Sequence, residues 1–250
     1  MSGHSKWSSI KHKKGAADAK RGALFTKLAR AIQVAAREGG GDPEGNAALG
    51  SAVQKAKDAS MPNDNIERAI AKGTGADADA AAFETMVYEG YGPGGVAILV
   101  EALTDNRNRT GSEVRHLFTR AGGNLGEPDS VAWIFEKRGV VLVDAERYTE
   151  DDLMAAIDAG AEDVVLDENV FEVLSDPGEL QAVRQAIEEA GVEIQSAEIT
   201  MRPTTRVELP EDRVGTLLRL VEALEDDDDV VAVHANFDVD AAVLERLAAV

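Results

Sequence analysis

VVLVDAERYTEDDLMAAIDAGAEDVVLDENVFEVLSDPGELQAVRQAIEEAGVEIQSAEITM, from Val140 to Met201, is the stretch whose reading decides the fold. Val140 to Val143 is a short apolar run of strand length, Leu153 to Ala159 carries a helical pattern, and Val164 to Leu166 and Val170 to Leu174 are two more strands. Leu180, Val183 and Ile187 trace a helix face that Gly191 stops, and a last strand runs through Ile194 and Ile199. The order β-α-β-β-α-β is one ferredoxin-like unit.

Outward from that unit the same alphabet recurs in pieces. Upstream stand a strand at Val96 to Val100 and a helix opened by the capping box of Thr110 and Glu113. Val114, Leu117, Phe118 and Ala121 form that helix's apolar face, and a strand from Val131 to Phe135 follows. Downstream come a strand at Arg206 to Leu209, a helix with Val214, Leu217, Leu218, Val221 and Leu224, and a strand from Val230 to Phe237. Joined across the insertion, these pieces complete a second β-α-β-β-α-β. Nearer the N-terminus, Leu24, Leu28, Ile32 and Ala35 mark a helix ended by Gly39-Gly40-Gly41. Leu49, Val53 and Ala56 mark a second helix, and Ile66 and Ile70 a third that ends at Gly73. The prediction is an α+β chain: a basic arm over 1–21, a three-helix domain over 22–75, and two ferredoxin-like α/β domains, one inserted in the other. The split domain covers 80–137 and 203–240, and the inserted acidic domain covers 138–202.

Composition narrows the function. The 250 residues include no Cys, which removes disulfides, thiolate chemistry and Cys-ligated zinc. No run reaches the roughly 18 to 20 apolar residues of a membrane span, and no apolar segment follows the basic start, so a cytoplasmic protein is expected. The net charge is -20, but it is unevenly spread. Residues 1–37 hold nine Lys and Arg against Asp18 alone, and the other 213 residues hold 17 bases against 45 acids. A basic end on an acidic body is the pattern of an arm that meets nucleic acid, the plain alternative being a solvated basic tail.

The motifs sharpen this. Gly90-Tyr91-Gly92-Pro93-Gly94-Gly95 fits a dinucleotide fingerprint by letter. It precedes its strand instead of following one, so a hairpin turn after Met86-Val87-Tyr88 is the better reading. In Asp105-Asn106-Arg107-Asn108-Arg109-Thr110 two arginines lie immediately before the expected helix N-terminus, where the macrodipole favours anions. Either a phosphate is received there, with Arg115 and His116 on the same side, or the arginines pair with Asp105, Glu101 or Glu89. His4, His12, His116 and His234 lack metal spacing, and Asp226 to Asp229 reads as a solvated loop. No nucleophile triad or paired-carboxylate signature stands out; neither an enzyme, a cofactor, a bound metal nor a small-molecule substrate is expected.

Gly3-His4-Ser5-Lys6-Trp7, Ala19-Lys20-Arg21-Gly22, Gly39-Gly40-Gly41-Asp42-Pro43, Tyr88 to Gly95, Asp105 to Thr110 and Gly122-Gly123-Asn124-Leu125-Gly126, in this order, resemble the YebC/PmpR family. One departure is Asp129, where that family usually has Gly before the Ser; it bears on the turn conformation. The resemblance implies a non-enzymatic, three-domain cytoplasmic protein. Family members are described as probable DNA-binding transcriptional regulators. Others, including a related mitochondrial translational activator of cytochrome oxidase, are described as acting in translation, with bacterial relatives relieving ribosome stalling at proline runs. The expected nucleic-acid contacts are His4, Lys6, Trp7, Lys11, Lys13, Lys14, Lys20, Arg21 and Lys27 on the arm side, and Asn106, Arg107, Asn108, Arg109 and Arg115 at the second site. DNA and ribosomal RNA both stay open as partner, as does the oligomeric state. A reading from another class is an acidic protein-interaction scaffold, since residues 144–200 hold Arg147 and Arg184 against seventeen acids.

Overall fold

The computed structural model describes Trp7, residues 18–75 and residues 83–248. The first helices are α1 (Asp18–Gly39), α2 (Ala47–Asp58) and α3 (Asn63–Thr74). Their shared core is small: Leu28, Ile32 and Ala36 of α1 meet Leu49, Val53 and Ala56 of α2 and Ile66 and Ala69 of α3. Small residues let α3 lie close to α1, because a Cβ on Gly73 would stand 2.5 Å from the Gln33 carbonyl oxygen. Asn46 ties the turn between the first two helices. Its Oδ1 accepts the Leu49 N–H at 3.1 Å, and its Nδ2 donates to the Ala35 and Gly40 carbonyls at 2.8 and 2.9 Å.

The next elements are β1 (Glu84–Tyr91), β2 (Ala97–Thr104), α4 (Arg107–Arg120) and β3 (Asn124–Leu125). The glycine-rich motif is indeed the hairpin turn between β1 and β2, with Gly94 and Gly95 at φ +79° and +77°, the left-handed region glycine adopts without strain. Then follow β4 (Phe135–Asp144), α5 (Met154–Asp158), β5 (Ala161–Asp167), β6 (Val170–Ser175), α6 (Leu180–Glu189) and β7 (Ile194–Pro203). The chain closes with β8 (Val207–Glu208), α7 (Glu211–Asp226), β9 (Val230–Ala235), β10 (Phe237–Asp238) and α8 (Ala241–Ala248).

Two compact units result, one formed by Phe135–Thr204 and the other by Ser2–Ile134 with Thr205–Val250. The first has an antiparallel sheet in the order β5-β6-β4-β7, the strand arrangement of a ferredoxin-like unit. The continuous apolar run of β4 sends alternate residues to opposite faces. Val141 and Val143 join Leu153, Ala156, Val173, Val183 and Ile187 under the helices, and Val140 and Leu142 join Val170 and Leu174 on the reverse face. Each such aliphatic side chain contributes roughly 1.5–3 kcal/mol by leaving water.

The second unit has a sheet ordered β3-β1-β2-β9. Its layout departs from the sequence reading in one respect. The strand between β2 and β3 is β1, the first arm of the hairpin, whereas β8 pairs in parallel with β10 in a separate two-stranded ribbon. Tight hairpin closure brings β1 to β2 before any later segment can compete for that edge. Ile98 and Val100 of β2, Val114 and Phe118 of α4, and Leu217, Val221 and Leu224 of α7 build the core below this sheet.

A second departure lies at Val131 to Phe135, expected as one strand. Ala132–Ile134 is a 3-10 turn, and the strand begins at Phe135. The cause is Glu89, a buried carboxylate on β1 that accepts the Asp129, Val131 and Ala132 N–H groups, each at 2.7 Å. Burial pushes its pKa up, but the three N–H donors outweigh that and hold it below the ordinary value. Asp129 keeps the turn at φ +66°, at the position where a glycine was expected. Asp129→Gly should therefore be neutral or raise stability by up to about 1 kcal/mol, since relief of the left-handed strain exceeds or balances the added chain entropy. Urea unfolding of the two proteins checks the sign.

Candidate nucleic-acid interface

The expected second site is built at the junction of β2, α4 and the α7–β9 turn. Asn106 is the N-cap of α4, its Oδ1 accepting the Arg109 N–H at 3.1 Å while its own N–H donates to Thr104 Oγ1 at 2.8 Å. That side chain is thus committed to the turn. Arg107 reaches Glu84 at 3.0 Å and lies 3.2 Å from the Met86 sulfur. Arg109 donates to Asp105 at 2.9 Å and to Asp229 at 2.7 Å. The positive helix terminus therefore tolerates two arginines because the fold supplies the carboxylates, with no incoming anion required.

Asp229 is the centre of this network and is almost fully buried, at 4% exposure. Besides Arg109 it receives Thr110 Oγ1 at 2.7 Å, Thr104 Oγ1 at 3.2 Å and Arg30 of α1 at 3.3 Å. Burial pushes its carboxyl up. The hydrogen bonds from Arg109 and Thr110, the Arg109 charge and the Thr104 hydroxyl more than compensate, leaving the pKa below the ordinary value. The same network holds the Arg109 guanidinium firmly charged. Asp226 to Asp229 is thus not simply a solvated loop. Arg30 also donates to the Asp228 carbonyl at 2.9 Å, and Lys27 donates to the Glu225 carbonyl, so α1 is laced to the end of α7. Glu113, Asp227 and Asp229 bring carboxylate oxygens within 4.8 Å of one another, but both Asp229 oxygens already receive arginine donors.

Several expected contacts change role as a result. Lys27, assigned to nucleic acid, is a tether within the fold. Burial lowers its pKa against the opposing charges of Asp227 and Asp228. Trp7, assigned to the binding arm, is 6% exposed in the core with Val96, Ile98 and Phe237, so its ring is withheld from base stacking. Arg109 serves Asp229, and Arg107 is held by Glu84. Asn108 and Arg115 lie on the exposed face of α4. Lys20 and Arg21 fall on the first turns of α1, and their side chains lie outside the described residues, as do His4, Lys6, Lys11, Lys13 and Lys14. Asp229 itself was missed: it stands 120 residues from Arg109, with only the run of four acids as a signal.

This geometry separates the two arginines. Arg109→Ala should lower the melting temperature, because a buried carboxylate loses its shortest cationic donor. Arg107→Ala, which breaks an exposed pair, should leave it nearly unchanged. Scanning calorimetry of the two single variants reads the difference.

An α+β architecture with a helical N-terminal part, two antiparallel sheets and an uneven charge distribution defines the class. A sequence model described as the TACO1/YebC protein N-terminal domain matches residues 5–76, and one described as the TACO1/YebC second and third domain matches residues 83–237. The chain belongs to the TACO1/YebC family, the YebC/PmpR family of the sequence reading. It is 59% identical over 249 residues to a probable transcriptional regulatory protein of Rubrobacter xylanophilus, covering 99% of this chain and 100% of the relative. A probable transcriptional regulatory protein of Desulfotalea psychrophila is 58% identical over 250 residues, again across 99% and 100% of the two chains. Among solved structures, a conserved hypothetical protein from Aquifex aeolicus superposes with a TM-score of 0.78 at 48% identity, covering 89% of this chain and 92% of that one. No helix among the described residues is long and apolar enough to cross a membrane.

Proposed function

We propose that the chain is a nucleic-acid-binding regulator of gene expression that acts on transcription by binding DNA, with the N-terminal arm as its electrostatic anchor. The observation that carries this reading is the charge distribution: nine bases against one acid in residues 1–37, on a body with 17 bases against 45 acids. Relatives described as probable transcriptional regulatory proteins across their whole length support the same reading. The acidic body repels polyanions, so productive encounters are confined to the few basic surfaces, which favours orientation over nonspecific coating.

Because Trp7 belongs to the core, deleting the arm would confound binding with folding. The test is replacement of Lys6, Lys11, Lys13 and Lys14 with Gln while Trp7 is kept. Binding to a labelled 20-base-pair duplex should weaken, and the slope of log affinity against log salt should fall by about 3 to 4, near 0.9 for each phosphate no longer neutralised. An unchanged slope removes the arm from the interface.

A further inference from the structure

With Arg109 and Lys27 engaged in the fold and Arg107 paired with Glu84 at the surface, the outward ridge of α4 is a basic surface that stays available. Thr110, Val114 and Phe118 are buried, which points Asn108, Ser112, Arg115 and Thr119 away from the sheet at alternating four- and three-residue steps. His116 and Arg120 flank them, and all six are exposed. Arg115 and Arg120 make no ion pair among the described residues, in a chain where most other described arginines are paired. The Ser112 and Thr119 hydroxyls turn back onto the Asn108 and Arg115 carbonyls, so they add no bulk to the ridge. The charge that remains on α4 once Arg107 and Arg109 are paired is that of Arg115 and Arg120, and the helix holds one acid, Glu113.

We propose that this ridge enters the major groove of duplex DNA, with Arg115 and Arg120 on phosphates and Asn108 and Ser112 toward base edges. The inference rests on the nucleic-acid reading above and deepens it by naming the element and the ligand form. Four features favour a B-form duplex. The ridge from Asn108 to Thr119 is about 16 Å long, a helix surface that the roughly 12 Å wide major groove admits. An A-form RNA duplex has a major groove too narrow for such a helix. Single strands are held by stacking on exposed rings, and this face carries no Phe, Tyr or Trp. The residue types are those that reach phosphates and base edges, with no carboxylate along the ridge itself.

The experiment uses the full chain with Arg115→Gln/Arg120→Gln, and separately Asn108→Ala/Ser112→Ala, against three mixed-sequence probes of equal length: a DNA duplex, an RNA duplex and single-stranded DNA. Thermal unfolding should be unchanged, because these side chains carry no tertiary bond. The arginine variant should bind the DNA duplex about tenfold more weakly, with a salt slope smaller by about 2, and should change least on the RNA duplex. Wild-type strength on the DNA duplex, or an equal loss on RNA, overturns the inference. Failure of the unmodified chain to bind any of the three probes strikes instead at the reading on which it rests.

Discussion

Trp7→Ala is expected to destabilise the protein by about 3–5 kcal/mol, the range for removing a large aromatic from a core. The segment around Trp7 looks like a disposable basic arm by charge, yet the indole is buried in the same core cluster as Val96, Ile98 and Phe237. Its Nε1 has no hydrogen-bond partner among the described residues, so Trp7→Phe gives up no bond there and should cost less than half as much. Guanidinium unfolding of the three proteins reads the series. If Trp7→Ala unfolds at the wild-type midpoint, the indole is not a core residue and the arm is independent of the fold.

Asp229→Ala comes next in magnitude, at about 2–4 kcal/mol. It removes the acceptor of Thr104, Thr110, Arg30 and Arg109 together and leaves buried hydroxyls without a partner. Arg109 stays partly solvated, which keeps the loss below that of a fully buried pair. The carboxylate also gives the stability a pH signature. Its folded pKa lies below the ordinary 3.8, so the contribution is complete above the unfolded-state value of about 3.9 and is lost as pH falls through the lower folded value. Asp229→Asn should flatten that acid limb. An unaltered pH profile of unfolding would show that another carboxylate sets it.

These two residues also mark where the sequence could be read and where it could not. The inserted unit was legible throughout, because each strand and helix between Val140 and Met201 announces its own period and the order of elements fixes the topology. The split unit was legible as elements but not as an arrangement. Both β1 and β8 are candidates for the place beside β2, and only hairpin closure decides between them. Trp7 stands in a stretch of serines and lysines with Ile10 as its one near apolar neighbour, so no periodicity could assign it to a core built from strands some ninety residues later. The start of α4 was read one turn too late: the cap is Asn106 and not the Thr110–Glu113 box, because Thr110 lies buried inside the helix with its hydroxyl on Asp229, while Asp105 was among the alternative partners named for Arg109. Asp229 escaped because an ion pair across 120 residues leaves no local trace. The outward ridge of α4 became visible only once the inward residues of that helix were known.

Crosslinking in cells followed by sequencing of the recovered nucleic acid tests the central claim most directly. The expected result is enrichment of DNA at discrete promoters, abolished in the protein carrying Gln at Lys6, Lys11, Lys13 and Lys14. Recovery dominated by ribosomal RNA from one region of the ribosome would contradict it and would move the protein to translation.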